Sequence, residues 1–167
     1  MLAWGLLLIG VLSRLFFHIP NFTPVLAIAL FGGVYLKKNQ ALYMPVLLLG
    51  LTDIFLGWHT TIPFTWFSIV LISAIGFWLK QHKNFKNIFA ASIVSSLVFF
   101  IITNLGVWLV GGLYTLDFNG LATCFVAAIP FFKSCLISIL VYTFILFGAY
   151  ELIALRVRNT KFASVVL

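Results

Sequence analysis

Long apolar runs separated by three short basic patches constrain this chain most. Only 8% of its 167 residues are charged, whereas a soluble domain carries about 25%, so this sequence cannot build a water-facing surface. We therefore predict an all-α integral membrane protein with a single transmembrane domain over residues 1–167. Eight of the ten Lys and Arg residues form the patches, which are Lys37-Lys38, then Lys80, Lys83 and Lys86, then Arg156, Arg158 and Lys161.

The basic patches predict a topology, because cations beside a membrane span resist translocation and collect in cytoplasmic loops. Placing all three patches inside predicts a multi-pass protein of the bacterial cytoplasmic (inner) membrane with both termini in the cytoplasm. The N-terminal run lacks a basic start and a small-x-small cleavage site, so we interpret it as a retained first helix. Six transmembrane segments are predicted, near residues 2–17, 24–36, 42–57, 62–79, 87–110 and 129–154. The outer connections are then residues 18–23, 58–61 and 111–128.

The formal net charge of +7 is explained by this topology rather than by nucleic-acid binding. The basic residues flank apolar runs and form no stripe interleaved with aromatic residues. The partners we expect are the lipid bilayer, including anionic inner-leaflet lipid at the C-terminal patch, and a small solute. Cys124 and Cys135 have no Cys-x-x-Cys spacing and no nearby His, so we interpret them as inert packing residues. No cofactor and no metal bound by the protein itself is expected.

The second and last segments are unusual in length. Residues 24–36 make about 20 Å of helix, which is too short to cross the roughly 30 Å of hydrocarbon alone. Thr23 is predicted as the hydroxyl N-cap, with Pro24 in the first helical turn. Residues 18–23 would then enter the membrane as irregular backbone, as in transporter binding sites, or form only a tight turn. At the other end, residues 120–129 are expected along the interface before Pro130 starts or kinks the last crossing.

Polar residues from separate segments share one depth, just below the predicted outer surface. Ionisable groups there cost about 2.5–3.5 kcal/mol each on insertion scales, which makes them candidates for function. Convergence at one depth predicts a single pocket. The candidate substrate-binding residues, which include the loop aromatic Tyr114, are Arg14, His18, Asn21, Asp53, His59, Asn104, Trp108, Tyr114 and Lys133.

Each candidate also has a purely structural interpretation. Arg14 and Asp53 could simply form an ion pair, and Lys133 could reach the outer headgroups. The two histidines could be hydrogen-bonded loop residues, and Asn104 an interhelical contact. Glu151, at the inner end, is interpreted as an interfacial partner of Arg156 and Arg158. No nucleophile elbow, H-E-x-x-H motif or paired intramembrane carboxylate is present, so catalysis is not expected.

Four motifs of this chain carry a resemblance to a known family. They are R-x-x-x-H-x-P-N-F-T-P-V-x-A-x-A-L-F-G-G (Arg14 to Gly33), D-x-x-L-G-x-H (Asp53 to His59), T-N-x-G-V-W-L-x-G-G-L-Y (Thr103 to Tyr114) and A-A-I-P-F-F-K (Ala127 to Lys133). These motifs resemble those of an uncharacterised family of small bacterial membrane proteins assigned to transport. Members of that family look like the substrate-binding S components of energy-coupling factor (ECF) vitamin transporters. The resemblance covers nearly the whole chain and implies six transmembrane helices and vitamin uptake through an outward-facing pocket.

One departure from S components concerns docking. S components carry a small-x-x-x-small motif on helix 1 that docks onto the coupling subunit, whereas here the nearest case is Ala29-x-x-x-Gly33 on helix 2. The sequence thus leaves open whether an energising ATPase module is a partner or the protein acts alone.

We therefore predict a membrane transport protein that captures a small water-soluble, vitamin-like nutrient. Because solitary S-like proteins are associated with corrinoid uptake, a corrinoid is one case, with His59, then His18, as the axial cobalt ligand. The alternatives are a non-transporting scaffold of a cell-envelope assembly and, third, a membrane enzyme.

Overall fold

The computed structural model describes residues 2–16 and 21–157, and these residues form α-helices joined by short connections. The prediction of an all-helical chain is confirmed. Four of the helices, α3 to α6, are long and apolar enough to cross a membrane, which is consistent with a multi-pass membrane protein. The six helices are α1 (Leu2–Phe16), α2 (Val25–Tyr35), α3 (Lys38–Leu56), α4 (Ile62–Gln81), α5 (Phe85–Val110) and α6 (Phe118–Val157).

Helix α2 is the centre of the bundle although it has only 11 residues. Every residue from Val25 to Val34 is buried, because α2 is apolar on all sides and packs against α3, α4 and α6. At about 1.5 Å per residue it is too short to span the membrane, as the sequence predicted. Helix α1, with 15 residues, is also shorter than the four candidate spans and packs mainly on α3.

The predicted hydroxyl cap of α2 is not formed. The helix begins at Val25 with Pro24 in the cap position, and no side chain makes a capping hydrogen bond. The carbonyl of Thr23 instead accepts a hydrogen bond of 2.7 Å from the Ser138 hydroxyl of α6. This bond from Ser138 therefore holds the chain in place just before α2 begins, where α2 and α6 lie side by side.

Two glycines set the spacing between α2 and α4. A Cβ at Gly33 would lie 2.4 Å from the Ser73 carbonyl oxygen and 2.7 Å from the Cα of Gly76. The backbones therefore touch, as small residues permit in membrane helix pairs. Ala29, the other member of the small-x-x-x-small motif, is fully buried. The motif is thus used inside the molecule and is not presented on its surface.

Helix α6 differs from the prediction for its N-terminal part. It starts at Phe118 and runs for 40 residues straight through Pro130, so residues 120–129 belong to the same helix as the crossing segment. Its length of about 60 Å is twice the hydrocarbon thickness. Asp117 caps its first turn, since the Asp117 carboxylate accepts a 2.7 Å hydrogen bond from the Gly120 N–H. This cap was not predicted.

The described residues of the basic patches lie at one end of the bundle, where α2, α4 and α6 end and α3 and α5 begin; they are Lys37, Lys38, Lys80, Lys83, Lys86 and Arg156. Here Glu151 of α6 forms an ion pair with Lys83, and Tyr35 of α2 donates a hydrogen bond to the same carboxylate. The expected pairing of Glu151 with Arg156 is therefore replaced by one with the α4–α5 connection; Arg158 lies outside the described residues. This contact ties α2, α6 and the α4–α5 connection together.

Candidate functional site

A partly open cavity of about 510 Å³ lies at the end of the bundle opposite the described basic residues. Most of its wall comes from one face of α5 and one face of α6, whose residues recur at the three- and four-residue spacing of a helix. The α5 face consists of Phe99, Phe100, Thr103, Asn104 and Val107, and the α6 face of Cys124, Ala127, Ala128, Phe131, Phe132 and Cys135. The remaining lining residues are Arg14, Asn21, His59, Thr65, Leu113 and Tyr114.

Five of the predicted site residues line this cavity although they come from five different segments. They lie at the end of α1, in the α1–α2, α3–α4 and α5–α6 connections, and on α5. Their convergence follows from the bundle, because the described helices reverse direction so that these segments share one end. The five are Arg14, Asn21, His59, Asn104 and Tyr114.

Arg14 is held at the cavity by a network with α3 and α4. Its Nη1 lies 2.8 Å from Asp53 Oδ1 and also donates to the Thr52 hydroxyl. The second carboxylate oxygen of Asp53 accepts a 3.1 Å hydrogen bond from the indole N–H of Trp66. The Asp53 side chain is only 3% exposed, so its charge is balanced inside the protein by Arg14. Asp53 itself does not line the cavity; it orients a residue that does.

His59 and Asn104 present polar groups to the cavity in different ways. His59 is exposed on the α3–α4 connection, with its Nδ1 2.8 Å from the Thr61 hydroxyl oxygen. The side-chain amide N–H of Asn104 donates a hydrogen bond of 2.7 Å to the carbonyl oxygen of Phe100, one helical turn earlier. That bond fixes the amide plane and leaves the amide oxygen available as an acceptor.

Trp108 and Lys133 are not among the lining residues. Trp108 donates its indole N–H to the Thr115 carbonyl at 2.9 Å and so holds the α5–α6 connection in place. Lys133 is exposed on α6, two positions after the lining residue Phe131, and a step of two residues turns a helix side chain by about 200°. Lys133 is therefore directed away from the cavity. His18 lies outside the described residues.

The α5–α6 connection is ordered by its single carboxylate. The Gly120 N–H and then the Thr115 hydroxyl, at 2.9 Å, donate to Asp117 and lower the pKa of its carboxyl below the usual value. Together with the Trp108 contact, these bonds hold the loop that carries Leu113 and Tyr114 over the cavity.

The comparison with known families adds one result to this geometry. Residues 1–162 match the Family of unknown function (DUF6580). The chain belongs to this family. No curated protein and no solved structure matches it.

Several parts of this DUF6580 cavity were missed by sequence reasoning. Two Phe-Phe pairs in the sequence could have indicated the aromatic wall of the cavity. They are Phe99-Phe100 and Phe131-Phe132, and each pair lies on a helix that carries a predicted polar residue. Cys124 and Cys135 are buried as expected, yet both line the cavity, and their eleven-residue spacing is three helical turns on one face. Trp66 and Thr52 gave no signal, because only the fold places them beside Asp53 and Arg14.

The described residues that line the DUF6580 cavity are mostly aromatic and aliphatic, with a few hydrogen-bonding side chains among them. Within the described part of the chain, no group of three or more His, Cys, Asp or Glu side chains could hold a metal ion. The cavity instead combines aromatic walls with a few separate hydrogen-bonding groups, which is typical of sites for small organic molecules.

Proposed function

We propose that the protein is a membrane transport protein that binds a small water-soluble nutrient in this cavity, in the manner of an ECF S component. The observation that supports this most is the convergence of Arg14, Asn21, His59, Asn104 and Tyr114 on one cavity of about 510 Å³. Drug-sized ligands occupy clefts of about 300–1,000 Å³ with apolar walls and a few placed polar groups. Vitamins and their precursors fall in this size range.

The position of the cavity supports uptake from outside. The described residues of the basic patches lie at the opposite end of the bundle, and such residues collect on the cytoplasmic side. In this proposal the cavity faces the exterior, all six helices lie within the membrane region, and α1 and α2 reach only part of its depth. The Lys83–Glu151 ion pair and the Tyr35 hydroxyl then close the cytoplasmic end while the outer end stays open.

Coupling to an ATPase module cannot use the Ala29-x-x-x-Gly33 motif, because both residues are buried against other helices. We therefore propose that the protein either acts alone or docks to an energising module through another surface. α1 is the candidate surface, since large side chains such as Trp4 and Leu8 are exposed along it.

A corrinoid is the special case of this proposal. His59 would serve as the axial cobalt ligand, since it is exposed at the cavity and one ring nitrogen is held by Thr61. A complete cobalamin is larger than the cavity, however, so it would remain partly outside. The size therefore favours a smaller vitamin-like solute.

The proposed function is tested by solute uptake in a strain that lacks the chromosomal copy of this gene. Three versions are expressed: the parent protein, Ala127→Phe, which places a ring in the cavity, and Ala122→Phe. Ala122 is also exposed on α6 but does not line the cavity, so it controls for the substitution itself. Untargeted mass spectrometry of the spent medium should show a solute depleted by the parent and Ala122→Phe but not by Ala127→Phe.

Equal depletion by Ala127→Phe would contradict uptake through this cavity. If expression of the parent depletes no solute, transport is excluded and the scaffold interpretation is favoured. A new product that appears in the medium, in place of simple depletion, would favour a membrane enzyme.

A further inference from the structure

Among the described residues that line the cavity, one carries a fixed positive charge, and an ion pair already neutralises that charge. Among the described lining residues, Arg14 is the only Lys, Arg, Asp or Glu. Its partner Asp53 lies directly behind it, with the two charged groups 2.8 Å apart. Lys133, the second cation that the sequence assigned to the pocket, is exposed away from the cavity. The site therefore has no net charge from these residues to offset an ionic ligand.

An anion gains little from such a site. Its attraction to Arg14 is partly cancelled by the buried carboxylate of Asp53, while it still loses its hydration on entering the cavity. A neutral acceptor avoids that desolvation. Among the described residues, Arg14 engages Asp53 and Thr52 through Nη1, and a guanidinium carries further N–H donors on Nη2 and Nε. A carbonyl oxygen can accept from these without adding a charge.

The aromatic residues that α5 and α6 contribute to the wall of the cavity favour a flat ring system. The rings of Phe100 and Phe132 lie 4.9 Å apart, and Phe125 packs edge-on against Phe100 at 5.4 Å. Phe99, Phe131 and Tyr114 add further aromatic surface. Aromatic side chains in such numbers bind planar ligands by stacked and edge-to-face contacts. The Asn104 amide, held by its bond to Phe100, lies within the same wall and can pair with a ring N–H or amide group.

We propose that the solute bound here is an uncharged, planar aromatic or heteroaromatic compound that presents a carbonyl-type acceptor to Arg14. This assignment rests on the proposed function and narrows it to a class of substrate. Anionic and cationic nutrients of the same size are excluded by charge rather than by shape.

The test uses three probes that share one bicyclic ring and carry planar substituents of similar size but different charge. They are quinoxaline-2-carboxamide, which is neutral, quinoxaline-2-carboxylate, which is an anion, and quinoxaline-2-carboxamidine, which is a cation. Calorimetric titration of the purified protein should give the tightest binding for the carboxamide, by about tenfold over either ion. The Ala127→Phe variant supplies the baseline, since its cavity is filled while its detergent micelle is unchanged.

The role of Asp53 provides a second, sharper readout. Asp53→Asn leaves Arg14 without its counter-charge, so the preference should shift from the carboxamide to the carboxylate. Glu151→Gln is the matched control, because it neutralises a carboxylate at the other end of the bundle and should leave the preference unchanged. If Asp53→Asn does not fold, the probe series on the parent protein still decides.

Tighter binding of the carboxylate or the carboxamidine by the parent would overturn the assignment. Binding of none of the three probes would also overturn it, while the uptake comparison would continue to decide the proposed function. An unchanged preference in a folded Asp53→Asn variant would show that the ion pair does not set the charge selectivity.

Discussion

Arg14 of α1 and Asp53 of α3 form an ion pair of 2.8 Å directly behind the cavity, and only Arg14 of the two lines it. The sequence left open whether this pair is structural or serves a ligand. The structure gives the two residues different positions. Asp53 lies behind the cavity, where it balances the charge of Arg14 and orients its side chain, and Arg14 itself lines the cavity. A second ion pair, Lys83–Glu151, lies at the other end, where both side chains are more than a third exposed.

Replacing only one member of the Arg14–Asp53 pair should lower the stability of the protein. Arg14→Met or Asp53→Leu alone strands a sheltered charge, and each should lower the free energy of unfolding by about 3–5 kcal/mol. The double variant should recover most of this, but not all, because the Trp66 N–H loses its acceptor at a cost of about 1–3 kcal/mol. Chemical unfolding of the detergent-solubilised protein measures these differences.

The Lys83–Glu151 pair is the control for this cycle. Because Lys83 and Glu151 are exposed, Lys83→Met and Glu151→Gln should each cost less than about 1 kcal/mol. Equal losses at the two ends would show that the burial of Asp53 does not govern the result.

The contact between α2 and α4 should not tolerate a side chain at Gly33. Gly33→Ala places a Cβ 2.4 Å from the Ser73 carbonyl oxygen, so the helices must separate, which costs about 1–3 kcal/mol. Gly148→Ala is the matched control in α6, since nothing lies within 4 Å of its added Cβ. The control should be neutral or slightly stabilising. Thermal unfolding compares the two, and a Gly33→Ala variant as stable as Gly148→Ala would contradict the packing.

The topology is tested by labelling single cysteines in a background that carries Cys124→Ala and Cys135→Ala. A membrane-impermeant maleimide added to intact cells should reach a cysteine placed at His59 or Tyr114, because both line the cavity at its proposed outer end. A cysteine placed at Lys83 should react only after the cells are permeabilised. External labelling at position 83 would place the cavity on the cytoplasmic side.

The α5–α6 connection should loosen in acid. The hydrogen bonds from Gly120 and Thr115 lower the pKa of Asp117 in the folded protein, so its ionised form stabilises the fold above the pKa of the unfolded chain. That stabilisation is lost as the pH falls through the lowered pKa. Thermal unfolding between pH 7 and pH 3 should therefore decline more for the parent than for Asp117→Asn, which cannot titrate. Parallel pH profiles would contradict this role.

The sequence predicted at which end of the bundle the candidate site lies better than it predicted which residues form the wall of the cavity. Polar residues are costly in a span, so the few that occur, such as Arg14 and Asn104, already indicated one end of the bundle. Helix phase was harder to predict, because neighbouring positions differ by about 100° and uniformly apolar helices give no amphipathic stripe. For that reason Lys133 was assigned to the pocket and Phe132 was not.

The start of α6 shows a second limit. Asp117 is an ordinary N-cap residue and could have indicated a helix from residue 118. The length of the segment and Pro130 outweighed it in the prediction, since proline breaks or kinks a helix interior. In the fold, the packing of this part of α6 on α5, including the contact of Phe125 with Phe100, compensates for the proline.

Native mass spectrometry of protein purified from its own cells in detergent shows whether this cavity holds a small solute. We expect a bound, non-lipid small molecule on the parent protein and on Ala122→Phe, and its loss from Ala127→Phe. A parent protein that carries no such molecule, or an Ala127→Phe variant that carries the same one, would contradict the binding of a solute in this cavity.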